Sequence, residues 1–372
     1  MTDLIKNQIV KRFLRLCERI CVTDCIAILH DTDPDGICSA VITAKAIERL
    51  RARPVDYIIH QDHGDVGITE QTITFLKKNK VNVLITVDKP IDQDPLTVQR
   101  CEEICEILVF DHHKYINDIS SERCFFIKPH MFAPPEIDDS QYPTSRMVYD
   151  LFYPAVDIKD TDWIMAVGVI ADAAYKTWKF AIDGVFERYR ITKTEDIYKS
   201  QLAGVSKIIT STAIVAPQEI DNIFETIYHA KDYQDVLNSP LKKHQEKFDH
   251  ELTYWIEHAK TKAELYPKQN TLIYYVTPKY SIKSVLSTLL SIKQYPGWTI
   301  ICAEEQPKTE MINISIRNQS GKVNCIELIR TCTEGLEGAS GGGHLPAVGG
   351  RIKKKDYKIF HERLLEKMGV TR

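Results

Sequence analysis

Up to residue 110 the chain alternates short apolar runs with stretches of helical spacing. Residues 25–30, 55–59, 81–87 and 106–110 are apolar runs of strand length, and each of the first, third and fourth ends in a polar cluster. Runs of this kind predict strands buried on both faces, as in a parallel sheet. Between them Ile37, Ala40, Val41, Ala44 and Ile47 recur at helical spacing, and residues 69–78 predict a second helix. An amphipathic helix is predicted ahead of them over 5–19. Strand alternating with helix implies a doubly wound α/β domain. Residues 161–178 read as one long helix, apolar all round and therefore buried, with Asp172 inside it.

From about residue 186 to 268 the pattern changes to charged helical segments broken near Pro217 and Pro240. Ile, Leu, Phe and Tyr persist there, which predicts a helical connector rather than a disordered linker. Strands resume at 272–276, 298–302 and 311–316, with helices at 283–292, 323–330 and 353–368. No internal repeat is present. The expected organisation is α/β throughout. A parallel-sheet domain over 1–185 is followed by a helical connector over 186–268. A smaller α/β domain closes the chain over 269–372.

Composition narrows this picture. With 372 residues, 44% hydrophobic and 27% charged, the chain has the balance of a globular protein of two domains. No apolar run is long enough for a membrane span, and the N-terminus lacks the basic start and apolar core of a signal peptide. Ten cysteines are too few for a disulfide scaffold. Cys17, Cys21 and Cys25 are spaced by four, as are Cys101 and Cys105, which suits thiols on one helix face better than a zinc site. A reducing, cytoplasmic setting with no membrane partner is expected. The net charge of −3 excludes a broadly basic nucleic-acid coat but not a local basic groove.

The chemistry sits at strand ends, where open α/β sheets bind ligands. The first strand runs into His30-Asp31-Thr32-Asp33-Pro34-Asp35-Gly36, the third into Asp88, and the fourth into Asp111-His112-His113. Each element alone reads equally as a turn, a helix cap or a surface loop. Gathered by one sheet, the carboxylates would repel one another unless a cation neutralised them. Asp and His together suit Mn²⁺ or Zn²⁺, and further oxygen ligands favour Mn²⁺ or Mg²⁺. His60, Asp62, His63 and Asp65 form another polar cluster, read here as a loop. In the second half, Gly341-Gly342-Gly343-His344 reads either as a backbone cradle for phosphate or as a surface loop.

These residues resemble the DHH phosphoesterases, the RecJ-like exonuclease and nanoRNase group among them. Asp111-His112-His113 is similar to the name-giving triplet, Asp31–Gly36 to a first motif of D-x-D-x-D-G form, Asp88 to the second motif and Gly168–Asp172 to a later G-x-x-x-D. Thr144-Ser145 is similar to another recurrent segment. Ser315–Asn318, Gly321–Asn324 and Gly341–His344 resemble the DHH-associated substrate-binding domain, so the likeness covers nearly the whole chain. Two departures stand out. His30 lies three positions before Asp33, not the four or two usual in the family, and Lys89-Pro90 follows Asp88 in place of a small residue.

The resemblance implies two Mn²⁺ ions, with Mg²⁺ as the substitute. They would be bridged by Asp88, one completed by Asp33 with His30 or Asp31, the other by Asp35, His112 and Asp172. It further implies His113 as the phosphate contact or proton donor, Asp111 as its orienting partner, and Arg317, Gly342, Gly343 and His344 as the substrate anchor. The site is then expected between the domains. Three functions follow from it. The leading one is hydrolysis of short single-stranded DNA or RNA to nucleoside monophosphates. The alternative is a phosphatase or phosphodiesterase for small nucleotides, such as phosphoadenosine phosphate or cyclic-dinucleotide products. The third is a non-catalytic replication scaffold, which would have shed the acids. No added oligonucleotide-binding barrel fits in the length, which favours short substrates. A homodimer, or a replication or repair partner, is compatible with each function.

Overall fold

Five strands, all parallel, form the sheet of the first unit in the order β2-β1-β3-β4-β5. The computed structural model describes residues 4–62, 64–65, 67–306 and 309–370, without the side chains of Leu4, Gln306 and His344. His63 lies outside the described residues. The chain divides into two compact units, Met1–Gln245 and Glu246–Arg372.

In the first unit α1 (Gln8–Cys17) leads into β1 (Ile26–His30), α2 (Pro34–Arg51), β2 (Tyr57–His60), α3 (Glu70–Lys78) and β3 (Val83–Val87). Then come α4 (Pro95–Glu102), β4 (Glu106–Phe110), β5 (Cys124–Ile127), α5 (Thr144–Phe152), α6 (Asp162–Ala171) and α7 (Lys179–Arg188). The helices α8 (Gln201–Val215), α9 (Ile220–His229) and α10 (Tyr233–Leu237) complete it. The strands are apolar on both sides because both faces are covered. Ile26, Ile28, Ile85, Val87, Leu108 and Phe110 face a core built with α1, α2, α5 and α6. Ala27, Leu29, Leu84, Ile107 and Val109 face the other core, under α3 and α4. The strand order reverses direction between β1 and β3, so their carboxyl ends frame a crevice.

Two features of this unit differ from the sequence reading. The predicted 161–178 helix ends early: α6 stops at Ala171, residues 172–178 form a turn segment, and α7 begins only at Lys179. Asp172 is not inside a helix but caps α6, and Ala173 follows it in the left-handed region at φ 58°. The apolar periodicity carried no sign of the break, because Ala174 just beyond it is buried as well. The strand β5 and helix α4 were not predicted: β5 is a four-residue edge strand, too short for a period to register.

In the second unit α11 (Lys242–Lys262), which starts just before it, runs into β6 (Glu264–Tyr266), β7 (Thr271–Val276), α12 (Lys283–Leu289) and β8 (Thr299–Gln306). These are followed by β9 (Met311–Arg317), α13 (Cys325–Thr333), β10 (Ser340–His344), β11 (Ala347–Lys353) and α14 (Tyr357–Lys367). The six strands pair in the order β10-β11-β9-β8-β7-β6, parallel only between β7 and β8. The glycine cluster is not a loop but one strand of a hairpin. A Cβ on Gly341 would lie 2.7 Å from Ile329, and Gly343 has φ 141° with Ala347 O 2.5 Å from its missing Cβ. Close strand and helix packing, not polarity, demands glycine there. Lys353 ends β11 and does not begin the last helix.

All ten cysteines are free thiols, eight of them buried. No helix among the described residues is long and apolar enough to cross a membrane.

The Phe13 ring anchors α1 to this framework. It is fully buried, with ring centroids 5.5 Å from Phe110, 5.0 Å from Phe152 and 6.3 Å from Phe125. Phe13→Ala should cost about 3–5 kcal/mol in chemical denaturation, the range for an aromatic cavity. A cost below about 1 kcal/mol would mean that α1 contributes little to this core.

Candidate metal centre

The helix α2 starts where β1 delivers its acids. Asp33 is its N-cap and accepts from Gly36 N at 2.8 Å, with Pro34 at the first helical position. Gly36 has no room for a side chain, since a Cβ would lie 2.7 Å from Asp31 O. The turn therefore fixes Asp35 pointing inward, fully buried.

The N-terminus of α5 receives it. Asp35 accepts from Thr144 N at 2.6 Å and Ser145 N at 3.1 Å, a carboxylate on the positive end of a helix. Thr144 Oγ1 donates to Asp88 Oδ1 at 3.0 Å. One helix end thus fixes two acids that arrive from different strands. Gly168 in α6 lets this happen: a Cβ there would collide with Ser145 Oγ and lie 2.5 Å from Asp35 Oδ1. Asp88 itself sits at φ 59°, an uncommon conformation for a non-glycine residue and one that concentrates at functional sites.

Two groups of ligating atoms result. One is Asp88, His112 and His113; the other is Asp35, His112 and Asp172. His112 Nε2 stands 3.4 Å from Asp88 Oδ1 and 3.2 Å from Asp172 Oδ2, so it belongs to both. Burial pushes the Asp35 carboxyl up to about 7, and the Asp33 charge adds to it. Burial raises Asp88 and Asp172 well above the carboxylate range, again helped by Asp35 and Asp33. Burial lowers His112 to about 4, with the neighbouring His113 adding to the effect, so its imidazole is neutral and free to ligate at pH 7. Carboxylates this costly to ionise, beside a neutral imidazole, suit a divalent cation that takes oxygen and nitrogen ligands.

Asp111 does different work. Burial alone would raise its carboxyl. His113 and Lys128 overcome that and hold it well below the usual range. His113 Nδ1 donates to Asp111 Oδ1 at 2.7 Å, and the fully buried Lys128 donates both to Asp111 Oδ2 and, at 2.8 Å, to His113 O. Asp111 thus fixes the His113 ring, whose Nδ1 also lies 3.9 Å from Asp88 Oδ1. Lys128 is the structural contributor that the motifs missed, while Thr144-Ser145 was marked by the resemblance without a role. Lys128 follows the unpredicted β5, and a lone lysine carries no sequence signal.

The remaining expected ligands are placed elsewhere or at the margin. His30 donates from Nδ1 to Asp31 O at 2.6 Å, and its ring lies 6.3 Å from those of Phe224 and His60. Asp31 is buried, accepts from Thr32 N at 2.6 Å and lies 3.9 Å from the buried Lys89 ammonium. Neither belongs to the two groups, nor does Asp33, whose charge nevertheless acts on Asp35, Asp88 and Asp172.

In the second unit, Arg317 donates to Thr288 Oγ1, Ser284 Oγ and the carbonyls of Ile316 and Val348, at 3.0–3.3 Å. No carboxylate pairs with it among the described residues, so a half-buried guanidinium keeps its charge for an anion. Gly342 is exposed, with open space where a side chain would be. The His344 side chain lies outside what is described.

Residues 25–177 match the DHH family, N-terminal domain, and residues 269–369 match the DHHA1 domain. No curated protein sequence matches the chain. Among solved structures the chain is similar to RecJ in complex with Mn²⁺ from Thermus thermophilus, with TM-score 0.73 and 11% identity. That match covers 99% of this chain but 56% of the other, so the chain spans little more than half of that protein's length. It is also similar to an exonuclease RecJ bound to manganese, at TM-score 0.70 and 14% identity, over 99% of this chain and 96% of that one. CDC45 from Entamoeba histolytica aligns over 99% of both chains at TM-score 0.56 and 10% identity. At such identities the likeness is one of fold.

The raised carboxyls give a stability prediction for the metal-free protein. An acid whose pKa folding raises is a burden at every pH above its ordinary value of 3.8, and the burden grows until pH passes the raised value. Asp172→Asn should therefore stabilise the metal-free protein at pH 8 by about 1–2 kcal/mol, as relief of a strained site commonly does. The gain should shrink toward pH 5 and vanish near pH 4. Thermal melts of both proteins in chelator across that range check it; an equal gain at all pH values would assign the effect to packing instead.

Proposed function

Because the chain belongs to the DHH family of phosphoesterases, we propose that it hydrolyses the phosphodiester bonds of short single-stranded oligonucleotides, DNA or RNA, to nucleoside monophosphates, using two Mn²⁺ ions. The observation that carries this reading is the pair of ligand groups sharing His112, Asp88–His112–His113 and Asp35–His112–Asp172. In this reading Asp33 completes the ligand set from the α2 N-cap. Bound divalent cations supply charge neutralisation and activation of water for attack on phosphorus.

The protein's own groups do the rest. Thr144 and Ser145 hold Asp88 and Asp35 in place before any substrate arrives. His113, oriented by Asp111, contacts the phosphate or protonates the leaving oxygen. Arg317 takes a terminal phosphate, with Gly342, Gly343 and His344 beside it in the sheet. The free thiols suit a reducing, cytoplasmic compartment. A scaffold without catalysis would have no use for three raised carboxylates, two of them buried, and their energetic cost argues against that role.

Asp88→Ala should abolish Mn²⁺ binding in the first group and reduce turnover by at least ~10³-fold, as expected when a group acting in the transition state is lost. Two metals per chain at the parent rate would refute the assignment. Digestion of two- to five-mers, longer strands of both sugars, phosphoadenosine phosphate and cyclic dinucleotides, with Mn²⁺ present, separates oligonucleotide from small-nucleotide hydrolysis. Rates per strand end should be highest for the short oligonucleotides and level off beyond a handful of residues. Processive loss of long strands with poor cleavage of short ones would overturn this.

Arg317→Ala should raise KM about 10-fold or more and leave metal content unchanged. Loss of bound metal, or unaltered kinetics, would remove Arg317 from the substrate site.

A further inference from the structure

The carboxylates gather at the carboxyl ends of β1, β3 and β4. At the opposite edge of the same sheet lies a groove of about 420 Å³ whose walls carry Arg12, Arg15, Arg19 and Arg123. Arg12, Arg15 and Arg19 recur at i, i+3 and i+7 on or just beyond α1, so they share one face of the chain. Arg123 immediately precedes β5, and Glu106 opens β4, which places the groove at the amino ends of these strands. Five residues of strand, about 17 Å, separate the two edges.

We propose that this groove binds the sugar–phosphate backbone of single-stranded nucleic acid, apart from the hydrolytic centre. Four guanidiniums face two carboxylates, Glu106 and Glu122, across it. Arg19 meets Glu106 loosely at 3.9 Å, with both side chains half exposed or more. Arg12, Arg15 and Arg123 are exposed, and none has a carboxylate partner among the described residues. The Arg12 guanidinium lies 5.3 Å from the Phe125 ring centroid, which orders it without neutralising it.

A row of charges suits a row of phosphates. The rise between Arg12, Arg15 and Arg19 is about 4.5 and then about 6 Å. A single anion uses one such position, whereas a strand uses all of them and releases a counterion at each. All four are arginine, whose planar fork matches phosphate oxygens in a way that lysine does not. Arg12, Arg15 and Arg19 precede residue 25, where the match to the DHH domain begins. A strand held here gains affinity without gaining proximity to the acids.

The test uses the metal-free full chain, so it reads binding whether or not the chain is a hydrolase. Fluorescence anisotropy of a labelled single-stranded 20-mer is followed from 50 to 300 mM NaCl for the parent and for Arg12→Met/Arg15→Gln/Arg123→Gln. The variant should bind at least tenfold more weakly at 50 mM. Its slope of log affinity against log salt should fall by about 2, from about 0.7 per lost contact. Where Arg12→Met lowers the thermal midpoint, the Arg15→Gln/Arg123→Gln pair carries the test with a fall of about 1.4. No binding by the parent at 50 mM, or an unchanged slope, overturns the proposal. Displacement of the strand by an acidic peptide at equal charge concentration overturns it too, in favour of a protein partner. Turnover of a dinucleotide by the manganese-loaded triple variant should equal the parent's, and its loss would merge the groove with the catalytic site.

Discussion

Two of the three carboxylates that resist ionisation are held together because one helix end is aimed at them. The first backbone N–H groups of α5 and the Thr144 hydroxyl bind Asp35 and Asp88 in a space that Gly168 leaves open. Each group satisfies part of another's hydrogen-bonding need, yet the charge is not cancelled. Backbone dipoles lessen the repulsion between carboxylates only in part, so the acids stay raised. The fold provides geometry, and in the proposed function a bound cation provides the charge. Stability without metal and competence with it are therefore opposed in this centre, which is the usual position of a preorganised active site.

The same arrangement explains why the parallel sheet is needed. Asp88 and Asp111 leave adjacent strands at the same edge, and the β1 loop meets them where the strand order reverses. An antiparallel pairing would send alternate strand ends to opposite edges and scatter the acids. Lys128, delivered by β5, pairs with Asp111 and, at 3.8 Å, with the buried Asp92, and leaves Asp35, Asp88 and Asp172 without an ammonium. Two kinds of acid thus coexist a few ångströms apart, one kept ionised by an internal ammonium and the others without one.

Much of this was legible in the residues. The alternation of apolar run and helical spacing gave the first sheet, because strands buried on both faces are apolar throughout. The acids at 31–35, 88 and 111–113 followed from their places at strand ends. What escaped the sequence was geometry carried by small local events. The end of α6 at Asp172 depends on Ala173 adopting a left-handed backbone, which no apolar pattern encodes. The glycines at 341–343 were read as a phosphate cradle or a surface loop, while the structure uses the lack of bulk of Gly341 and Gly343 against Ile329 and Ala347. His30 lies outside the two ligand groups, its ring equally near Phe224 and His60 and its buried Nε2 without a hydrogen-bond partner among the described residues.

Charge shows most clearly how averages mislead. A net charge of −3 in 372 residues suggests a surface indifferent to nucleic acid. The first unit instead separates its charges along the strand axis, acids gathered at the carboxyl edge and exposed arginines at the amino edge. The acidic end is buried and suited to cations, so its potential reaches solvent weakly once metal is bound. The basic end is exposed and screened only by salt over about 10 Å. A polyanion approaching the metal-loaded protein would therefore meet attraction at the edge away from the chemistry. In the proposed reading, affinity for a strand and the rate of cutting it need not rise together, because the charges proposed for each lie at opposite ends of the same sheet.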